Sequence, residues 1–397
     1  MKNKSTLTFI LLLCILAGLL GYNYFAKPFA HLNSKIVSDL TTTPSPVPEA
    51  NDKPQPFKNL TDQQKISQLL AVPLTISSTK NSTDNATSSA MLDWISANQP
   101  GLVTLFGQNI DRNTAQTTIA KLKKNNSLTT PLWIAVDHEG GTVQRLSGTG
   151  FTKLPSWSNL CQLPEDQFTN MLASSAAELK NVGVDVVLAP VVDVGSSKTL
   201  NSRICSTQPT AVIDKATKYV AAFQKNNLLP VLKHFPGLGQ TSQDLHQQFD
   251  QVTISADDAI VYRSLLAKNN YLGVMVAPVG VKNQYPEIPC VLSPDCVAEL
   301  ATNFPQTLVF TDALEMKANF HVSAGKPELN LSEVAAQAIL SGNQVLIFGP
   351  SVTDQQLTKL TNDLALKYQT DELFKEKVNA ALTQIINYKT LNKPTNN

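Results

Sequence analysis

Eight short apolar runs, separated by longer segments of helical periodicity, constrain this chain more than any other feature. The runs are Leu69 to Leu74, Leu102 to Phe106, Trp133 to Val136, Val184 to Leu188, Leu229 to Leu232, Leu272 to Ala277, Leu308 to Phe310 and Val345 to Phe348. Continuous apolar runs of this length are the pattern of parallel strands buried on both faces. Between them, Asp166 to Asn181, Ile213 to Asn226, Ala256 to Lys268 and Leu331 to Ser341 carry apolar residues at helical spacing. Eight strand–helix units in roughly 300 residues fit a (β/α)8, TIM-type barrel better than an open doubly wound sheet. No glycine-rich dinucleotide loop follows the first strands. A final helical segment, Asp371 to Leu391, is expected to pack back on the barrel.

The barrel pattern begins near residue 59, and what precedes it reads differently. Lys2 and Lys4 come before an uncharged stretch from Ser5 to Ala26 with the apolar run Leu7 to Leu20 at its centre. Its length and flanking charge predict a membrane-anchor helix over residues 1–26, with the remainder of the chain facing out of the cytoplasm. A cleaved signal peptide is the alternative reading, and lipidation at Cys14 a third. Residues 27–58 include Thr41-Thr42-Thr43-Pro44-Ser45-Pro46-Val47-Pro48 and Pro54-Gln55-Pro56, a composition that reads as a disordered linker. The expected organisation is therefore anchor 1–26, linker 27–58 and barrel 59–397, with the membrane as one partner. With 32 basic and 31 acidic residues the chain has no electrostatic footprint for nucleic acid.

Four cysteines lie beyond the first segment: Cys161, Cys205, Cys290 and Cys296. An oxidising compartment permits disulfides, with Cys290 and Cys296 the expected pair from their close spacing; four buried small hydrophobes are the other reading. Their spacing does not describe a zinc site.

In a barrel, chemistry gathers where strands end and the following loops begin. Asp137 follows the third run, Asp193 the fourth, Lys233 and His234 the fifth, and Asp312 the seventh. Carboxylates and a Lys-His pair converging on one rim describe a site for a polar, hydroxyl-rich ligand.

Three segments carry a resemblance to a known family. Val136-Asp137-His138-Glu139-Gly140-Gly141-Thr142-Val143-Gln144-Arg145, Lys233-His234-Phe235-Pro236-Gly237-Leu238-Gly239 and Phe310-Thr311-Asp312-Ala313-Leu314-Glu315-Met316 resemble signatures of glycoside hydrolase family 3. The branch they resemble is that of single-barrel bacterial β-N-acetylglucosaminidases. Smaller echoes are Leu105 to Ile110, Ala189 to Val194 and Leu292-Ser293.

The resemblance implies a retaining exo-β-N-acetylglucosaminidase acting on peptidoglycan fragments or related glycans, without cofactor or metal. Asp312 is then the nucleophile, His246 the acid/base and Asp244 its carboxylate partner in Asp244-Leu245-His246. An imidazole titrates near neutral pH, which suits proton transfer both to a leaving oxygen and from water. Asp137, Arg145, Arg203, Lys233 and His234 take the positions that hold the sugar. Glu139 is read as holding the Gly140-Gly141 turn, Glu315 as supporting the nucleophile, Met316 as core, and His31 and His138 as structural or solvated.

The chain departs from the family pattern at Leu238, where the usual residue is histidine, at Gln240, usually aspartate, and at Thr142, usually arginine. These departures keep two alternatives open: a tethered sugar-binding relative, and an enzyme using phosphate as acceptor.

Overall fold

Every barrel strand pairs with its neighbours in sequence. The computed structural model describes residues 57–78, 85–269, 271–282, 284–321 and 328–391. The strands are β1 (Leu70–Thr75), β2 (Leu102–Phe106), β3 (Trp133–Val136), β4 (Val186–Val187), β5 (Leu229–Phe235), β6 (Gly273–Val276), β7 (Leu308–Thr311) and β8 (Leu346–Ile347). They run parallel in the order β7-β6-β5-β4-β3-β2-β1-β8. A parallel bridge between Phe310 and Val345 joins the two ends, with Val345 N–H donating to Val309 O at 3.0 Å and Thr311 N–H to Val345 O at 2.9 Å. The sheet thus closes on itself, and closure leaves no edge to protect.

Helices on the outside explain why the strands are buried on both faces. The helix Glu165–Val182 buries Phe168, Leu172, Ser175, Ala176, Leu179 and Val182, a stripe at helical spacing laid on the barrel. It stops at Gly183, whose φ of 95° is left-handed and favours glycine. Leu331–Ser341 starts at a capping box, Asn330 with Glu333.

Glu372–Leu391 covers the barrel floor, where Tyr388 Oη donates to Leu272 O at 3.1 Å just before β6. Lys389 Nζ donates there to Gly101 O at 2.8 Å and Pro131 O at 2.9 Å. Burial pushes the Lys389 ammonium down to about 7.

Two disulfides are present, Cys161–Cys205 and Cys290–Cys296. The second is the pair expected from spacing. The first joins residues 44 apart in sequence, a separation that carries no local signal.

The expected architecture needs one correction. The barrel stands, but nothing among the described residues supplies the expected anchor: no helix there is long and apolar enough to cross a membrane. A spanning helix needs about 20 consecutive apolar residues. The longest helix here, Glu372–Leu391, carries Glu372, Lys375, Glu376, Lys377 and Lys389. Residues 1–26 and most of the linker lie outside the described residues, as does His31. The membrane partnership and the anchored extracytoplasmic placement rested on that segment, and no described helix supports them.

Candidate active site

The C-terminal ends of the strands open into a cleft of about 560 Å³. Asp137, Arg145, Arg203, Lys233, His234, Asp244, His246 and Asp312 all line it. Its floor is a charge network that begins inside β5. The ladder runs through Lys233 and His234 to Phe235, and the register against β6 shifts between Lys233 and Phe235. Both polar side chains are buried, so each must meet an opposite charge or a hydrogen-bond partner.

Lys233 Nζ lies 2.6 Å from Glu139 Oε1 and 3.2 Å from Asp137 Oδ1. Arg145 Nη2 holds the other oxygen of Asp137 at 3.2 Å. Glu139 is in turn gripped by Arg203, whose Nε and Nη2 donate to its two oxygens at 2.7 and 2.9 Å. Burial alone would raise the two carboxyls, but the facing cations outweigh it. Lys233 and Arg145 hold Asp137 below the usual carboxylate range, and Arg203 and Lys233 hold Glu139 there too. Burial opposes the Lys233 charge, yet Glu139 and Asp137 raise it above the ordinary lysine value.

His234 is oriented from both sides. Its Nδ1 lies 2.8 Å from Asp193 Oδ2 and its Nε2 3.2 Å from Arg203 Nη2. A guanidinium only donates, so Nε2 accepts and Nδ1–H donates to Asp193. Asp193 Oδ1 also accepts the Leu238 N–H at 2.7 Å, fixing the start of the loop after β5.

That loop carries Asp244 and His246 and is held by a small apolar cluster of its own. Leu238 and Leu245 pack with Leu200, Ile204, Met316 and Ala318. Ala318 N–H donates to Leu245 O at 3.2 Å, and the Phe249 and His321 rings stack at 4.0 Å. On the opposite side Ser197, Thr199 and Thr241 join hydroxyls, at 2.8 Å for Ser197–Thr199 and 2.9 Å for Ser197–Thr241. Gly239 passes so close to Val194 O that a Cβ there would sit 1.8 Å from it. Asp244 and His246 themselves are exposed. The Asp244 carboxylate accepts the His246 backbone N–H at 2.9 Å, so it shapes the turn rather than gripping the ring in this conformation.

Asp312 stands at the end of β7, where its N–H donates to Val276 O at 2.9 Å and its Oδ1 accepts the Ala313 N–H at 2.8 Å. Glu315 lies behind it. Its Oε2 accepts the Gly349 N–H at 2.9 Å, and its Oε1 occupies the space a Cβ at Gly349 would take. Burial pushes the Glu315 carboxyl up, against the pull of that N–H.

The site thus gathers all eight sequence-expected residues in one cleft. It also adds Glu139 and Asp193, which organise Arg203, Lys233 and His234. Glu139 does more than hold its turn. The signal for it in the sequence is charge balance: Lys233, Arg145 and Arg203 need more than Asp137 to face them. His138 is buried away from the cleft with Nε2 2.5 Å from Ser175 Oγ, and burial pushes its imidazole down to about 3. Met316 is buried as expected and also touches the cleft. Among the described residues no group of three or more His, Cys, Asp or Glu side chains is placed to hold a metal ion.

A β-hexosaminidase from Bordetella avium is 33% identical over 199 residues, covering 47% of this chain and 56% of that protein. One from Actinobacillus succinogenes is 30% identical over 244 residues, covering 58% of this chain and 65% of that protein. The chain spans about half the length of the curated relatives it matches. In fold it is similar to a β-N-acetylhexosaminidase from Beutenbergia cavernae, with a TM-score of 0.72 at 23% identity over 84% of this chain and 99% of that one. Residues 61–388 match the glycosyl hydrolase family 3 N-terminal domain, and the chain belongs to that family.

Proposed function

We propose that this chain is a retaining exo-β-N-acetylglucosaminidase that releases terminal β-linked N-acetylglucosamine from peptidoglycan fragments or related glycans. The observation that carries the reading is the convergence of Asp312, the Asp244–His246 loop and the Asp137–Lys233–Arg203 network on one cleft. Catalysis resides in the barrel, residues 59–397. The hexosaminidase relatives support the substrate class.

In the first step Asp312 attacks the anomeric carbon as the glycosidic C–O bond breaks, and His246 gives its proton to the leaving oxygen. In the second, water attacks the same carbon, loses its proton to His246 and frees Asp312. The Ala313 N–H on one oxygen of Asp312 fixes the carboxylate for attack by the other. Asp244 holds the turn that carries His246 and stabilises the ring when it is charged. Asp137, already fixed by two cations, keeps lone pairs for sugar hydroxyls, and bonds to an ionised acceptor are the stronger kind. Arg145, Arg203, Lys233 and His234 complete the sugar's polar contacts.

The test is nitrophenol release from the aryl β-N-acetylglucosaminide and the aryl β-glucoside by the full chain, with and without phosphate. Phosphate-independent turnover of the acetamido sugar alone is the expected result. Turnover that requires phosphate, or none from a folded chain that still binds N-acetylglucosamine, contradicts it.

A further inference from the structure

The disulfide Cys161–Cys205 lies outside everything the reaction above uses, yet it ends two residues from Arg203. Arg203 sits in a short 3-10 turn, Asn201–Arg203, within a long irregular segment between β4 and the helix Pro209–Gln224. The turn opens at Asn201, whose φ of 43° is left-handed and strained for a residue with a side chain. Its backbone bonds are local: Asn201 N–H to Ser197 O at 2.8 Å, Arg203 N–H to Leu200 O at 2.9 Å, and Ile204 N–H to Asn201 O at 3.1 Å. None of these ties the turn to the barrel. Leu200 and Ile204 pack against the loop after β5, and Cys205 adds a covalent tie on the other side.

The other end of the bond rests on a rigid block. Cys161 closes the short helix Trp157–Cys161. Trp157 is buried, its indole N–H donates to Val191 O at 2.9 Å just past β4, and its ring meets Tyr219 edge-on at 5.6 Å. Tyr219 Oη reaches back to His138 O at 2.8 Å, beside Glu139. A continuous path therefore runs from the backbone beside Glu139 through Tyr219, Trp157 and the disulfide to Arg203. It returns to Glu139 through the guanidinium.

We propose that Cys161 and Cys205 are positioning residues for the sugar site: their bond holds Arg203 in its binding pose, so that sugar affinity depends on the oxidised state of this pair. The inference rests on the reading of Arg203 as a sugar contact. Without the bond, Arg203 samples other positions, and the apparent dissociation constant rises by the inverse of the fraction in the binding pose. Once the sugar is bound, that pose is selected, so turnover at saturation falls much less.

The experiment uses the full chain in three forms: wild type, Cys161→Ser/Cys205→Ser, and the control Cys290→Ser/Cys296→Ser. N-acetylglucosamine binding is measured by calorimetry, and KM and kcat with the aryl β-N-acetylglucosaminide. Wild type is also measured after dithiothreitol, which becomes a cyclic disulfide as it returns the protein cysteines to thiols. This gives a second reading should the first double variant fold poorly. Kd and KM are expected to rise about tenfold in Cys161→Ser/Cys205→Ser and in reduced wild type, corresponding to a binding pose held about a tenth of the time. The control keeps wild-type values. A variant that melts earlier but binds with unchanged Kd shows the bond to be structural only and overturns the inference. Sugar binding and turnover absent even from oxidised wild type would overturn the proposed function, and this inference with it.

Discussion

Glu139 Oε1 lies 2.6 Å from Lys233 Nζ, and the same carboxylate takes Arg203 at 2.7 and 2.9 Å. One buried acid thus neutralises two cations, one inside β5 and one on the segment after β4. Removing it leaves the Arg203 guanidinium without its carboxylate and the buried Lys233 ammonium with Asp137 alone. Breaking a buried pair in this way costs about 3–5 kcal/mol. Glu139→Ala is expected to destabilise the fold by that order and to abolish sugar binding, while Glu139→Gln costs less and still raises KM. Urea unfolding and KM measurements check both.

The same network sets the acid limit of the fold. Asp137 and Glu139 titrate below the ordinary carboxylate range when folded, so on acidification the unfolded chain takes up protons first. Their contribution is complete above about pH 5 and is lost as pH falls toward their folded values. Urea midpoints should drop steeply below pH 5 in wild type and less steeply in Glu139→Gln.

Asp258 behaves in the opposite sense. It caps the helix Ala256–Leu266, accepting from Ser255 N–H at 3.0 Å and Ser255 Oγ at 2.7 Å, and lies against Gly237 beneath the loop after β5. Burial pushes its carboxyl up to about 6, with Asp193 adding to the rise. A group raised above its unfolded value favours the fold while protonated, so stability falls as pH rises through about 4 to 6. The shift corresponds to at most about 3 kcal/mol at neutral pH. An amide oxygen can accept the same Ser255 bonds without the charge. Asp258→Asn is therefore expected to gain about 1–2 kcal/mol at pH 8 and little or nothing at pH 4.5, by urea unfolding at the two pH values.

Much of this was legible in the sequence, for a physical reason. The second and third runs match β2 and β3 residue for residue, and the others fall within a few residues, because buried parallel strands leave an uninterrupted apolar signature. The apolar pattern ends the fifth run at Leu232, since charged residues rarely sit inside a ladder. It continues to Phe235 because Asp137, Glu139 and Asp193 pair Lys233 and His234, and partners from other loops are invisible to a local pattern. The helix before β5 begins at Pro209 rather than Ile213, its start set by a proline and not by apolar spacing. Locally Glu139 carries only a turn signal and Cys161–Cys205 no signal at all, because both partnerships are long-range. The departures at Leu238 and Gln240 split: Leu238 is buried in the cluster that anchors the loop, and Gln240 faces solvent.

Leu245 tests that anchoring. It is buried between two exposed residues, Asp244 and His246, and pins them over the cleft. Leu245→Ala is expected to cost about 2–3 kcal/mol in stability and to lower kcat by loosening the His246 turn. Leu245→Met should recover most of both. Unchanged kcat in a destabilised Leu245→Ala would separate the packing from the chemistry.

His246→Ala should slow sugars with poor leaving groups far more than activated aryl ones, because only the former need a proton in the transition state. Equal slowing of both would show that the acid lies elsewhere, with Glu315 the next carboxyl in the cleft to examine.

The central claim is a covalent bond between the sugar and Asp312. It is tested most directly by trapping the glycosyl-enzyme with a 5-fluoro-N-acetylglucosaminyl fluoride and mapping the added mass by peptide mass spectrometry. The account predicts one sugar per chain, on the peptide containing Asp312, and none on Asp312→Ala. A sugar attached to any other residue, or a chain that turns over the acetamido sugar undiminished as Asp312→Ala, would contradict it.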